Sequence, residues 1–131
     1  MMKLAIEAED AIIGIICGLL ILAYTGRVYS LKLNELVYVA AFAVFIIFIF
    51  LDIINEFKDW TQIGLTILSI FHNLVDLVIS LAFISHFTGF NIQYITSNLV
   101  PYLQNEPIMA GVGIFLIVSN GLWLLTMPFW M

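Results

Sequence analysis

Four apolar runs, each about the length that a helix needs to cross a bilayer, take up most of this 131-residue chain. A helix rises about 1.5 Å per residue, so roughly 20 apolar residues span the hydrocarbon of a membrane. The runs fall at about 11–29, 36–54, 61–87 and 107–126. With 63% hydrophobic and 10% charged residues, the chain lacks the polar surface that a water-soluble domain of this size requires. The expected fold is a single all-α integral membrane domain over residues 1–131, a bundle of four transmembrane helices.

Short connections, "RVYSLKLNE" and "NEFKDWTQ", make successive helices antiparallel. Asn34 is placed to cap the second helix, and Pro107 suits the first turn of the fourth. The third connection is long and nearly uncharged. Ile92, Ile95 and Leu99 recur in it at spacings of three and four, which predicts a short amphipathic helix within 91–103, lying in the membrane interface and broken near Pro101. Trp60, Tyr94, Tyr102, Trp123 and Trp130 stand near helix ends or in this loop, as aromatic belts do.

Charge narrows the partners. A net charge of −5 with only four Lys and Arg leaves little to meet nucleic-acid phosphates, so no nucleic acid is expected. Lys3 and Lys58 fall on one side of the membrane and Arg27 and Lys32 on the other, a tie that leaves orientation open and fits dual insertion. Three acids stand before the first run with no small-residue cleavage site after it, so that run reads as a retained anchor. The lone Cys17 has no internal disulfide partner and reads as a small buried hydrophobe. Abundant isoleucine and scarce alanine suggest an A+T-rich archaeal or bacterial genome, and the four apolar runs a multi-pass protein of the cell membrane.

The chemistry-bearing stretch is "IFHNLVDLVIS", residues 70–80. His72 and Asp76 are spaced i, i+4 and Asn73 and Asp76 i, i+3, so all three share a helix face with Ser69 and Ser80. A carboxyl at the centre of a membrane helix costs about 2.5–3.5 kcal/mol on insertion scales, so this stripe must face protein or water. Asn120 in the fourth run lies at similar depth and is a natural partner. One reading makes the stripe interhelical hydrogen-bonding glue. Another makes His72 and Asp76 metal ligands or proton-relay groups. Two ligands are too few for a zinc site, so a metal would need ligands from elsewhere; no cofactor is otherwise expected. "FHNLVD" resembles the second membrane helix of the cation diffusion facilitators, which carry a His-x-x-x-Asp metal pair. The likeness covers Phe71 to Phe83 and lacks an acid where Ser69 stands, a second acidic pair, six spans and a cytosolic domain, so membership is not assigned.

Other features have plainer readings. Gly14 and Gly18 form a G-x-x-x-G pair that favours close helix packing, within the chain or between chains. Asp52, Asn55, Glu56 and Asp59 read as a solvated acidic helix end. Glu7, Glu9 and Asp10 suit the positive end of the first helix dipole. His86 reads as an interfacial histidine. No nucleophile elbow, P-loop or paired-cysteine motif occurs, and no enzyme activity is expected. The leading expectation is an accessory membrane subunit of a larger respiratory, oxygenase or transport assembly, in contact with lipid and with other subunits or itself. The alternative is a homo-oligomeric proton or metal-ion transporter using His72 and Asp76.

Overall fold

A computed structural model describes the backbone of residues 2–25, 35–58 and 63–130, and side chains over 8–25, 35–56 and 67–126. The described chain is helical and contains no strand. Its elements are α1 (Met2–Tyr24), α2 (Glu35–Lys58), α3 (Ile63–Thr88), α4 (Ile95–Asn98), α5 (Val100–Leu103) and α6 (Glu106–Trp130). Three of them hold stretches long and apolar enough to cross a membrane: Glu35–Glu56, Ile67–Thr88 and Glu106–Thr126.

The long helices share one packing code. Buried positions recur at spacings of three and four: Asp10, Gly14, Cys17 and Ile21 on α1; Tyr38, Phe42, Phe45, Ile49, Asp52 and Glu56 on α2. On α3 they are Ser69, Asn73, Asp76, Ser80 and Phe83, and on α6 Met109, Gly113, Leu116 and Asn120. This repeat keeps one narrow seam of each helix turned toward its neighbours, as in left-handed helix bundles. α1 lies between α6 and α2, and α2 also packs on α3. The outward faces, with Leu36, Ile47, Phe71, Leu122 and Leu125 exposed, are apolar.

The α1–α6 seam depends on glycine. A Cβ on Gly18 would lie 2.6 Å from the Gly113 carbonyl oxygen, and one on Gly113 would lie 3.1 Å from the Gly18 carbonyl oxygen. The G-x-x-x-G pair therefore packs within the chain, Gly18 against the α6 backbone and Gly14 against the Asn120 side chain.

Several boundaries differ from the sequence expectation. α1 begins well before residue 11 and ends at Tyr24, where the Thr25 hydroxyl donates to the Leu22 carbonyl at 3.0 Å. The cap expected at Asn34 and the belt residue Trp60 lie outside the described residues. The connection after α3 is two one-turn helices rather than one amphipathic helix. They meet at Leu99, and Pro101 sits in the first turn of α5 instead of breaking a helix. Gly89, with φ of 73°, lets the Gly89 N–H return to the Ser85 carbonyl at 2.8 Å and so ends α3. Ser85 then ties the loop down: its hydroxyl lies 2.7 Å from both the Phe90 carbonyl and the Thr96 hydroxyl. Ile95 and Leu99 turn inward against the core, and Phe90, Tyr94 and Tyr102 stay exposed.

Candidate functional site: a buried carboxyl ladder

At the end of the molecule where α2 finishes and α3 begins, the shared seam changes from apolar to polar. Asp10, Asp52, Glu56 and Asp76 are 3%, 2%, 1% and 0% exposed, so four carboxyls from three helices lie inside the helix packing. This corrects two readings of the sequence. Asp52 and Glu56 are not a solvated helix end, because the α2 seam continues through Ile49 straight into them. Asp10 does not stand at the positive end of the helix dipole, because α1 begins well before it and turns it inward.

The α3 stripe meets these acids in register. The Ser69 hydroxyl donates to Glu56 Oε1 at 3.0 Å, and Asn73 Nδ2 donates to Asp52 Oδ2 at 2.7 Å. Asp10 lies in hydrogen-bonding reach of Asp52 and within charge–charge range of Asp76. Deeper still, Asp76 faces Asn120 of α6. His72 Nε2 is 3.5 Å from Asp76 Oδ2, and the His72 ring stacks on Trp123 with centroids 5.2 Å apart. The Ser80 hydroxyl donates to the Asp76 backbone carbonyl at 2.8 Å and so stays within its own helix.

The structure thus brings Ser69, His72, Asn73, Asp76, Ser80 and Asn120 to one seam, along with three acids, Asp10, Asp52 and Glu56, expected from the sequence at helix ends. The rungs descend in order. Glu56 and Ser69 lie at the end of the apolar segment of α2, and Asp52, Asn73 and Asp10 come next. Asp76 lies roughly 10 Å further along α3 than Ser69, at about 1.5 Å per residue, with His72 and Asn120 of α6 beside it. Gly14 makes room for the deepest rung, since a Cβ there would fall 2.5 Å from Asn120 Nδ2.

The deepest rung is also the least satisfied. Neither carboxyl oxygen of Asp76 has a well-aligned hydrogen bond, and the donors nearest it are His72 Nε2, 3.5 Å from Oδ2, and the Asn120 amide. His72 Nε2 and Asn120 Oδ1 are buried beside it, and the Asn120 amide, which has two hydrogens, also donates to the Leu116 carbonyl at 2.9 Å. Among the described residues no three His, Cys, Asp or Glu side chains converge in an arrangement that could hold a metal ion. His72 and Asp76 remain a pair.

No protein-family model, curated protein or solved structure matches the chain.

Proposed function

We propose that the chain is an integral membrane protein of four transmembrane helices that takes up and relays protons along the ladder from Glu56 to Asp76. The observation that carries this reading is the fully buried Asp76 carboxyl at the inner end of a row of four buried carboxyls, with no well-aligned hydrogen bond and with the titratable His72 Nε2 3.5 Å away. A carboxylate kept only as helix glue would be saturated with donors, since each missing bond is costly in hydrocarbon. A proton needs just two acceptors close together, whereas a metal ion needs a fuller ligand set than His72 and Asp76 supply. Each step in such a relay moves one proton from an O–H or N–H to the next lone pair, and the donor is left one proton poorer.

The test is pH-difference infrared spectroscopy of the full chain in lipid. The expected result is a carboxyl signal that follows pH, loses one component in Asp76→Asn and another in Asp52→Asn. A carboxyl region that ignores pH, or is identical in Asp76→Asn, refutes the reading.

A second reading, a membrane subunit of a larger assembly, draws support from the side of the molecule where α3 and α6 meet only sparsely. An apolar cavity of about 270 Å³ opens there, lined by Val78, Ile79, Ala82, Phe83, Leu103 and Val112 among others. Native mass spectrometry in mild detergent tests it. A complex containing only this polypeptide removes that reading.

A further inference from the structure

Beyond Asp76 the shared seam turns apolar on every helix at once. On α3 it passes through Ser80 to Phe83, on α2 back through Ile49 and Phe45 to Phe42, on α1 to Cys17 and Ile21, and on α6 to Leu116. All of these side chains are buried, and none but Ser80 carries a hydroxyl, amide or charge. Phe42 and Phe83 stack across the seam with centroids 4.9 Å apart, inclined at 19°. One layer further, Tyr38 stacks on Phe87 at 5.2 Å and Tyr24 meets both edge-on.

Polar groups return on the far side of these rings. A cavity of about 260 Å³ is lined by Tyr24, His86, Leu103, Gln104, Glu106 and Met109. Along α3, His86 lies roughly 15 Å beyond Asp76, at about 1.5 Å per residue. Within that gap the Ser80 hydroxyl lies on the Asp76 side and the tyrosine hydroxyls belong to the layer beyond, so the Phe42–Phe83 layer is the stretch that offers a proton no side-chain acceptor. Packed rings there leave no file of water, which is how apolar constrictions close aqueous paths.

We propose that the chain holds a proton path closed at one point. The carboxyl ladder reaches Asp76 from one membrane face, the His86 cavity reaches inward from the other, and the stacked Phe42–Phe83 pair is the gate between them. This rests on the proton reading of the ladder and adds where the path is interrupted. The gate rings belong to α2 and α3, so parting those two helices is the motion that opens it. In the closed arrangement a proton held at Asp76 has His72 as its nearest acceptor and the ladder behind it, and none on the side of the rings.

The experiment uses the full chain in liposomes, with an internal pH dye and an imposed pH step. The wild type is expected to pass protons no faster than Asp76→Asn does. Phe83→Ala is expected to raise the flux on the order of tenfold, because removing a ring from an apolar constriction admits water. Phe42→Ala is expected to do the same. In the double variant Phe83→Ala/Asp76→Asn the flux is expected to return to the wild-type level. Phe83→Val is a smaller truncation, and it carries the test if the alanine variants do not fold.

A wild type that already conducts in an Asp76-dependent way overturns the gate, as does a Phe83 leak that survives Asp76→Asn. Truncations that fold and give no leak overturn it too. Infrared spectroscopy on the same samples separates the two levels. A carboxyl signal that responds to pH without a leak removes the gate alone, whereas the absence of that signal removes the proton reading beneath it.

Discussion

Replacing Gly18 by alanine adds a single methyl group and should separate two helices. The new Cβ would lie 2.6 Å from the Gly113 carbonyl oxygen, 2.7 Å from Ile117 Cγ1 and 3.2 Å from the Ile117 nitrogen. Ordinary van der Waals contact begins at 3.4 Å, and the first of these neighbours is backbone that no rotamer change can move. α1 and α6 must therefore part by something under about 1 Å, a gap that forfeits a quarter to a half of the dispersion energy of each contact it opens. Overpacking of this kind costs about 1–3 kcal/mol, against a helix-propensity gain of about 0.5–1 kcal/mol for replacing glycine. Gly121→Ala is the matched control, because nothing lies within 4 Å of its Cβ position. The expected gap in stability between the two variants is about 2 kcal/mol, Gly18→Ala being the weaker. Reversible unfolding in mixed micelles, followed by circular dichroism, measures it. Equal stability of Gly18→Ala and Gly121→Ala would refute the close α1–α6 seam.

Three further outcomes follow from the same geometry. Gly14→Ala drives a Cβ into Asn120, so its cost should shrink by about 1 kcal/mol in an Asn120→Ala background; a strictly additive double-mutant cycle in the same unfolding assay contradicts that contact. Asn73→Ala removes the 2.7 Å bond to Asp52 and should cost about 1.5–3 kcal/mol, whereas Asn73→Ala in an Asp52→Leu background should cost much less; equal losses in both backgrounds mean the pair is not coupled. Gly89→Ala meets no neighbour yet forces a left-handed conformation, so it should destabilise by about 1–2 kcal/mol, and an unchanged unfolding midpoint argues against that turn.

How much of this was legible in the sequence depends on the residue. Hydropathy alone gives the long helices. The three–four spacing of His72, Asn73 and Asp76 gives the inward stripe on α3, because a carboxyl in an apolar run has nowhere else to point. Asp52 and Glu56 were misjudged because they stand beside Asn55, Lys58 and Asp59, and a local cluster of charge resembles a solvated end. The correcting signal was present further back. Tyr38, Phe42, Phe45, Ile49, Asp52 and Glu56 form one unbroken three–four series, so whatever buries the aromatic residues buries the acids as well. Asp10 belongs to the same kind of series with Gly14, Cys17 and Ile21. The break at Leu99 was not legible, since apolar periodicity cannot distinguish one helix of a few turns from two single turns. What sets it is the tertiary anchor of Ser85 on Phe90 and Thr96, which no local pattern contains.

Placing carboxyls on the packing seam also bears on how the chain finds its arrangement. An apolar seam is tolerant, because a helix that slips by one turn, about 5.4 Å, still sets hydrocarbon against hydrocarbon. The polar rungs are not tolerant. Moving α2 by one turn would take Asp52 from Asn73 and Glu56 from Ser69 together, and rotating it would turn both acids out of the seam and away from those donors. The buried carboxyls and amides of the seam fall toward the starts of α1 and α3 and toward the finishes of α2 and α6. Those ends coincide only when successive helices run antiparallel at this one offset. Buried polar groups can fix register in this way at some cost in stability. The same pinning holds the Phe42–Phe83 stack opposite itself, so Asp52→Leu/Asn73→Leu, which removes a rung without leaving an unpaired charge, should keep the fold stable while loosening that stack. Solid-state NMR of ring flipping at Phe42 and Phe83 reads this directly: faster flipping in the double variant is expected, and unchanged flipping would mean that the aromatic layer sets the register by itself.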